Sequence, residues 1–174
     1  MPRMSQTPLQ SSAYRTGALV LLGTVAVILG ALAFEHLGGY APCPLCLQQR
    51  YAYYAGIPLL FLALVLVAAR REKAAAAIFL LVGLGFLANA ALGGYHAGVE
   101  WHFWPGPDTC AATSTAPLGS GGGGILGDLG KTRVIRCDEA PWSFLGLSLA
   151  GWNVVASLIL ATGAISAAAK ASRG

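Results

Sequence analysis

Apolar residues fall in four long runs along the chain, and the polar residues are concentrated between them. The runs cover residues 17–34, 51–69, 74–95 and 144–168, and none contains Lys, Arg, Asp or Glu. A helix needs about 20 apolar residues to cross the hydrocarbon core of a bilayer. Because a lone span in lipid can satisfy its backbone hydrogen bonds only internally, each run is predicted to be a helix. The pattern therefore predicts an all-α fold, a four-helix transmembrane bundle that forms one membrane domain over residues 1–174.

The composition agrees with a membrane protein. Of the 174 residues, 56% are hydrophobic and only 10% are charged, and the mean hydropathy is +0.64, whereas soluble domains carry about 25% charged residues. The first run follows Arg3 and Arg15 and ends near the sequence "ALA" at 31–33, a pattern also found in cleaved secretory signals. Its 18 apolar residues exceed the usual signal core of about 7–15, so we predict an uncleaved anchor.

The positive charges predict the orientation of the bundle, since Lys and Arg are enriched in cytoplasmic flanks. The two tails and the connection between the second and third runs carry seven such residues: Arg3, Arg15, Arg70, Arg71, Lys73, Lys170 and Arg173. The two other connections carry four: Arg50, Lys131, Arg133 and Arg136. Both termini are therefore predicted to be cytoplasmic. The net charge of +4 follows from this topology and does not indicate a nucleic acid partner.

All four cysteines lie in the two connections predicted to face away from the cytoplasm. Cys43 and Cys46 are in residues 35–50, and Cys110 and Cys137 are in residues 96–143. Disulfides form and persist on that side of the membrane. Four cysteines allow three pairings; Cys43 with Cys46 is an obvious local pair, which leaves Cys110 with Cys137, but the resting pairing stays open. The Gly-rich run at 119–124 between the last two predicts a flexible linker.

The Cys43-x-x-Cys46 motif favours redox chemistry over a structural bridge. A two-residue spacer closes a very small loop and removes little entropy from the unfolded chain. The second predicted span begins almost directly after Cys46, and a helix amino terminus favours a thiolate. A zinc site built from four cysteines usually shows two such motifs, so no metal is predicted.

Arg50 lies one helical turn beyond Cys46 and on the same face if the helix begins there. Its permanent charge would favour a Cys46 thiolate or a developing negative charge on a ligand. Anchoring to lipid headgroups is the alternative for this arginine.

Polar and small residues inside the spans predict contacts between helices. Asn89 and Asn153 are expected to hydrogen-bond across helices, with a ligand-binding role as the alternative for either. Gly83, Gly85 and Gly93 are expected to permit close packing of the third span.

Three stretches of the chain resemble the DsbB family, bacterial inner-membrane enzymes that make disulfide bonds de novo. They are "PCPLCLQQR" (42–50), "YHAGVEWHFWPGPDTC" (95–110) and "CDEAPWSFLGLSLAGWN" (137–153). The resemblance implies a thiol:quinone oxidoreductase that re-oxidises a periplasmic, thioredoxin-fold DsbA-like oxidase. It also implies ubiquinone or menaquinone as the cofactor, drawn from the quinone pool of the bacterial inner membrane.

The resemblance also implies a role for each cysteine. Cys110 would form the mixed disulfide with the DsbA-like partner, and Cys137 would be its companion. Electrons would then pass to Cys43, which exchanges with the loop pair, and on to Cys46, which contacts the quinone ring.

Two further residues match the quinone site of the family. Arg50 matches its arginine, and His96 is the candidate for its histidine. The stretch between Tyr95 and Cys110 needs a small gap for alignment, so His102 stays open as well.

Three alternatives compete with this interpretation. Vitamin K epoxide reductase-like enzymes share a helical bundle and both pairs of cysteines, but their loop pair precedes the Cys-x-x-Cys motif, whereas here it follows. A DsbB-like oxidase could serve one dedicated partner. A non-enzymatic membrane protein could carry two static disulfides.

Overall fold

Four long helices dominate the computed structural model, which describes residues 11–40, 42–107, 137, 138, 140 and 142–173. Within these residues the helices are α1 (Ser12–His36), α2 (Pro44–Ala68), α3 (Glu72–Glu100) and α4 (Leu149–Ala171). An antiparallel hairpin of β1 (Ser143–Phe144) and β2 (Leu147–Ser148) precedes α4. All four helices are long and apolar enough to cross a membrane. The predicted all-α, multi-pass membrane bundle is thus confirmed.

The helices extend beyond the apolar runs at the end of the bundle that carries the cysteines. Helix α2 begins at Pro44, with Cys43 as its N-cap residue, and α3 continues to Glu100. His96 therefore belongs to a helix and not to a loop. Helix α4 begins at Leu149, whereas the predicted apolar span begins at about Phe144. The chain turns back there because Leu145 and Gly146 adopt positive φ angles of 52° and 78°, which close the hairpin between β1 and β2.

The core lies between the helices, and apolar residues also cover the outer surface. Helix α1 packs on α2 and α4, and α3 packs on α2 and α4. The side chains at the centre are fully buried and come from α2, α3 and α4: Leu60, Ala63, Phe79, Ala161 and Ala164. Large apolar side chains point outward from every helix, among them Leu19, Phe61, Leu81 and Ile159. An apolar exterior of this kind is what a bilayer solvates.

Close packing of α3 on α4 depends on two of the three glycines expected to permit it. A Cβ atom at Gly83 would lie 2.8 Å from Cγ1 of Ile165, and one at Gly93 would lie 3.0 Å from Cγ2 of Val154. At Gly85 a Cβ atom would meet nothing within 4 Å. The expectation is confirmed for Gly83 and Gly93 and is wrong for Gly85.

We expect Gly83→Ala to lower the free energy of unfolding by about 1–3 kcal/mol, because the added methyl overpacks the α3–α4 contact. Gly85→Ala is the matched control on the same helix, and its better helix propensity should leave stability unchanged or raise it by up to about 1 kcal/mol. Unfolding of both variants in detergent micelles measures the difference. Equal destabilisation of the two variants would contradict this packing.

Candidate functional site

A cavity of about 920 Å³ opens at the end of the bundle where α1 and α3 end and α2 and α4 begin. All four helices contribute to its wall. One part of the lining is apolar and comes mainly from α1, including Val27, Ile28, Ala31 and Phe34. The other part is polar and reactive, and includes Cys43, Cys46, Gln49, Arg50, His96 and Glu100. The cavity thus joins an apolar compartment to a cluster of thiols and charged groups.

Cys43 and Cys46 form a reduced pair at the start of α2. Both are free thiols, and their Sγ atoms lie 3.1 Å apart, well beyond the S–S bond length of about 2.05 Å. The Cys43 side chain caps the helix by accepting a hydrogen bond of 3.3 Å from the backbone N–H of Cys46. The pair is therefore placed to close a disulfide with a small movement of either side chain.

Cys43 is the more acidic thiol of the pair. The hydrogen bond from the Cys46 thiol lowers the pKa of Cys43 to about 4, assisted by His96 and opposed by burial. The Nε2 atom of His96 lies 3.5 Å from the Cys43 Sγ atom. Cys43 thus carries a thiolate at neutral pH when the pair is reduced, since its proton is lost well below pH 7.

We expect alkylation of Cys43 by iodoacetamide to proceed at a nearly constant rate from about pH 6 to pH 8. An ordinary cysteine, with a pKa of about 8.5, would react about tenfold faster for each pH unit over that range. Because a lowered pKa leaves the thiolate present at every pH above it, the decline should begin only near pH 5. Mass spectrometry that resolves Cys43 from Cys46 measures this, and a tenfold rise per unit at Cys43 would contradict the assignment.

The Cys137 sulfur lies beside this pair. Cys137 is disulfide-bonded and 2% exposed, and its Sγ atom lies within 4.8 Å of the Cys43 sulfur and of a His96 nitrogen. Neither Cys43 nor Cys46 is its bonding partner, because both are free. A sulfur in a disulfide is not a thiolate and so does not serve as a metal ligand. The cluster therefore places the Cys43 thiolate next to the Cys137 disulfide. Cys110 and the Gly-rich run at 119–124 lie outside the described residues.

Arg50 lies in the cavity wall and pairs with Glu35. Its Nη1 atom donates a hydrogen bond to Oε2 of Glu35, and the side chains are 12% and 26% exposed. The sequence analysis did not foresee this pair, which joins residues 15 positions apart. Arg50 therefore points along the cavity, on the same helix as Cys46 and one turn beyond it.

The structure brings His96, and not His102, into the cavity. His96 is 2% exposed, whereas His102 is exposed, does not line the cavity and has a positive φ of 61°. The Nε2 atom of His96 also lies 3.9 Å from Oε1 of Glu100. Glu100 in turn accepts a hydrogen bond from the hydroxyl of Ser148, the N-cap residue of α4.

Two residues at this site were missed by the sequence analysis although their spacing gave a signal. Gln49 lies three positions beyond Cys46, and Glu100 lies four positions beyond His96. Residues three or four apart share a helical face, so each could have been grouped with its neighbour. The Nε2 atom of Gln49 is 2.8 Å from Nδ1 of His96, which links α2 to α3 directly behind the thiols.

The expected hydrogen bonds between helices are confirmed for Asn89 and Asn153. The Nδ2 atom of Asn153 donates to Oε1 of Gln49 over 2.6 Å, and Nδ2 of Asn89 donates to Oγ of Ser157 over 3.0 Å. Asn153 also lines the cavity. A hydrogen-bonded chain therefore connects the middle of the bundle to the site.

The chain matches one family model, and it is similar to proteins whose names refer to disulfide bond formation. The family model described as "Disulfide bond formation protein DsbB" matches residues 14–167. A protein of Aromatoleum aromaticum named "Disulfide bond formation protein B" is 34% identical over 169 residues, which cover 90% of this chain and 95% of that protein. "Disulfide bond formation protein B 1" of Pseudomonas fluorescens strain Pf0-1 is 33% identical, with 82% of each chain covered. No solved structure gives a significant match.

Proposed function

Because the chain belongs to the DsbB family and is thus a disulfide-forming oxidoreductase, we propose that it oxidises a periplasmic DsbA-like dithiol protein and passes the electrons to a quinone. The observation that carries this proposal is the contiguity of three sulfur atoms. The Cys137 sulfur is within 4.8 Å of the Cys43 sulfur, which is 3.1 Å from the Cys46 sulfur. Thiol–disulfide exchange needs only thiolate attack and access.

The proposed exchange starts in the loop between α3 and α4. A partner thiolate attacks Cys110, the Cys110–Cys137 bond breaks, and Cys137 leaves as a thiolate. Cys137 then attacks Cys43 of an oxidised Cys43–Cys46 disulfide, which releases Cys46 as a thiolate. The second partner thiolate then attacks the mixed disulfide, which forms the partner disulfide and releases Cys110. Cys110 attacks Cys137 of the Cys137–Cys43 bond, so the loop disulfide is restored and Cys43 leaves as a thiolate. The partner has then lost two electrons, and Cys43 and Cys46 have gained them. The free thiols at Cys43 and Cys46 and the disulfide at Cys137 correspond to this stage.

The residues around the cavity fit a quinone, either ubiquinone or menaquinone. Ligand cavities of about 300–1,000 Å³ are typical of small-molecule sites, and this one is about 920 Å³. Arg50 and His96 would hold the polar head beside Cys46, and the apolar lining from α1 suits an isoprenoid tail. A bound quinone supplies the acceptor for two electrons and two protons. Loss of those two electrons and two protons would join Cys43 and Cys46 in a disulfide again.

The proposed location is the bacterial inner membrane, with both termini in the cytoplasm and the two cysteine loops in the periplasm. There the loop carrying Cys110 meets the partner in water, while the cavity draws on the quinone pool in lipid. The alternative of two static disulfides is disfavoured by the free thiols of Cys43 and Cys46. A single dedicated partner remains compatible with the same chemistry.

A single-turnover experiment tests this route without quinone. Fully oxidised, quinone-free protein is mixed with one equivalent of a reduced DsbA-like protein, and the new thiols are assigned by alkylation and mass spectrometry. We expect two new thiols, at Cys43 and Cys46, for each partner disulfide that forms. The Cys46→Ser control cannot form the Cys43–Cys46 disulfide, so positions 43 and 46 accept no electrons in that variant. New thiols that stay at Cys137 in the wild-type protein would contradict the route.

A further inference from the structure

A chain of buried amides runs from the middle of the bundle to the thiols. The Oδ1 atom of Asn153 accepts hydrogen bonds from the hydroxyl of Tyr53 over 2.5 Å and from Nδ2 of Asn89 over 3.4 Å. Its Nδ2 atom then faces Gln49 and donates to Oε1 over 2.6 Å. This leaves Nε2 of Gln49 to face His96. Each amide in the chain is oriented by the one before it.

The orientation of Gln49 determines which nitrogen of His96 carries the proton. An amide NH₂ group can only donate, so Nδ1 of His96 must accept its hydrogen bond and must be bare. A neutral imidazole carries one proton, which therefore lies on Nε2.

The other side of the ring leads independently to the same tautomer. The Nε2 atom of His96 faces two acceptors, the Cys43 sulfur at 3.5 Å and Oε1 of Glu100 at 3.9 Å. An N–H group on Nε2 donates to the Cys43 sulfur and also carries a partial positive charge toward the Glu100 carboxylate, whereas a bare nitrogen would place its lone pair against a thiolate. Both sides of the ring thus require the proton on Nε2.

We propose that Asn153, acting through Gln49, holds His96 as the Nε2–H tautomer and so keeps a hydrogen-bond donor on the Cys43 thiolate. Asn153 and Gln49 are positioning residues in this role, since neither contacts a sulfur atom. The inference rests on the proposed function of Cys43 as an exchanging thiol. Its first readout is the proton on His96, which needs neither partner nor quinone.

Other ionisable groups near Cys43 do not replace this donor. Cys46 and Arg50 come from α2, Glu100 comes from α3, and Glu35 comes from α1. Arg50 is engaged by Glu35, and Glu100 is engaged by Ser148. The other group that stabilises the Cys43 thiolate is Cys46. Its hydrogen bond to Cys43 is not altered by substitutions at position 153.

The Asn153→Asp variant tests the proposal with almost no change of shape. A carboxylate cannot donate to Oε1 of Gln49, so the Gln49 amide is expected to turn its NH₂ group toward residue 153. Its oxygen then faces Nδ1 of His96, which must carry the proton, and Cys43 loses a donor. We expect the pH midpoint of Cys43 alkylation to rise by about one to two units, the effect of one hydrogen bond to a charged group.

The tautomer is read from the ¹⁵N chemical shifts of labelled histidine in the reduced, detergent-solubilised protein. The chain has three histidines, and replacing the exposed His36 and His102 with glutamine leaves only His96. The expected result is a bare Nδ1 in the parent protein and a protonated Nδ1 in Asn153→Asp. If Asn153→Asp fails to fold, Gln49→Glu takes its place. The carboxylate of that variant can only accept a hydrogen bond, so it also favours a proton on Nδ1 of His96.

Ser157→Ala is the matched control. It removes hydrogen bonds to Tyr53 and Asn89 from the same chain but leaves the Asn153 donation to Gln49 in place, so Nδ1 should stay bare. A protonated Nδ1 in the parent protein would overturn the proposal, as would an Asn153→Asp variant that keeps the parent tautomer and alkylation midpoint. If turnover with partner and quinone fails while the tautomers behave as expected, the proposed function is at fault and the positioning role stands.

Discussion

Replacing Cys43 with serine is expected to lower partner-dependent quinone turnover by roughly 10³-fold or more, the scale of losing a covalent nucleophile. The Cys43 sulfur lies within 4.8 Å of the Cys137 sulfur and 3.1 Å from the Cys46 sulfur, so both steps of the proposed exchange pass through it. A serine hydroxyl cannot form a disulfide. Serine is nonetheless a favoured N-cap residue, so the Cys43→Ser variant should keep α2 capped and the bundle folded.

A stalled intermediate distinguishes this result from a general loss of function. The partner can still attack the loop disulfide of Cys43→Ser, so a mixed disulfide with the partner should accumulate on a non-reducing gel. The Cys46→Ser variant serves as the comparison, because it loses the Cys46 sulfur but retains the Cys43 sulfur next to Cys137. Turnover of Cys43→Ser above a tenth of the wild-type rate would exclude Cys43 from the route.

The second large effect is expected at Arg50. In Arg50→Met the methionine retains an unbranched side chain but removes the charge-assisted hydrogen bond available to a quinone oxygen, which is worth about 1.5–3 kcal/mol. It also leaves the Glu35 carboxylate without its cation at the cavity. We therefore expect the KM for quinone to rise by about 10- to 100-fold, with the KM for the partner unchanged. Steady-state kinetics with each substrate varied in turn measure the two constants.

Two further variants separate the charge of Arg50 from its shape. Arg50→Lys keeps the charge without the planar fork of donors, so its KM for quinone should fall between those of the wild type and Arg50→Met. In an Arg50→Met/Glu35→Gln double variant the unpaired carboxylate is gone, and part of the loss should be recovered. An unchanged KM for quinone in Arg50→Met would favour the alternative, in which the arginine anchors the helix to headgroups.

The sequence was sufficient to predict the spans but not the ends of the helices. Hydrocarbon requires an unbroken apolar run, and the four runs are visible without a structure. Polar residues are tolerated where a helix leaves the hydrocarbon, so the apolar runs omit Ser12, His36, Pro44 and Glu100, all of which are helical. The hairpin at 143–148 was missed because its residues are as apolar as a span.

The sequence was sufficient to predict the part of the candidate site whose residues lie close together along the chain. Cys43, Cys46 and Arg50 share one helix start, and their spacing alone placed them together. The choice between His96 and His102 depends on where α3 ends, which hydropathy does not show. Glu35 was missed because its contact with Arg50 is made by the packing of α1 on α2, and no periodicity within either helix reports it.

The most direct test of the account follows quinone absorbance after a reduced DsbA-like protein is added to purified, quinone-supplied protein. We predict catalytic loss of quinone in the wild type, with one partner disulfide formed for each quinone reduced, and no loss in Cys46→Ser. If neither protein reduces quinone, and the cysteines of the wild type remain disulfide-bonded after the partner has been added, the oxidase account is contradicted.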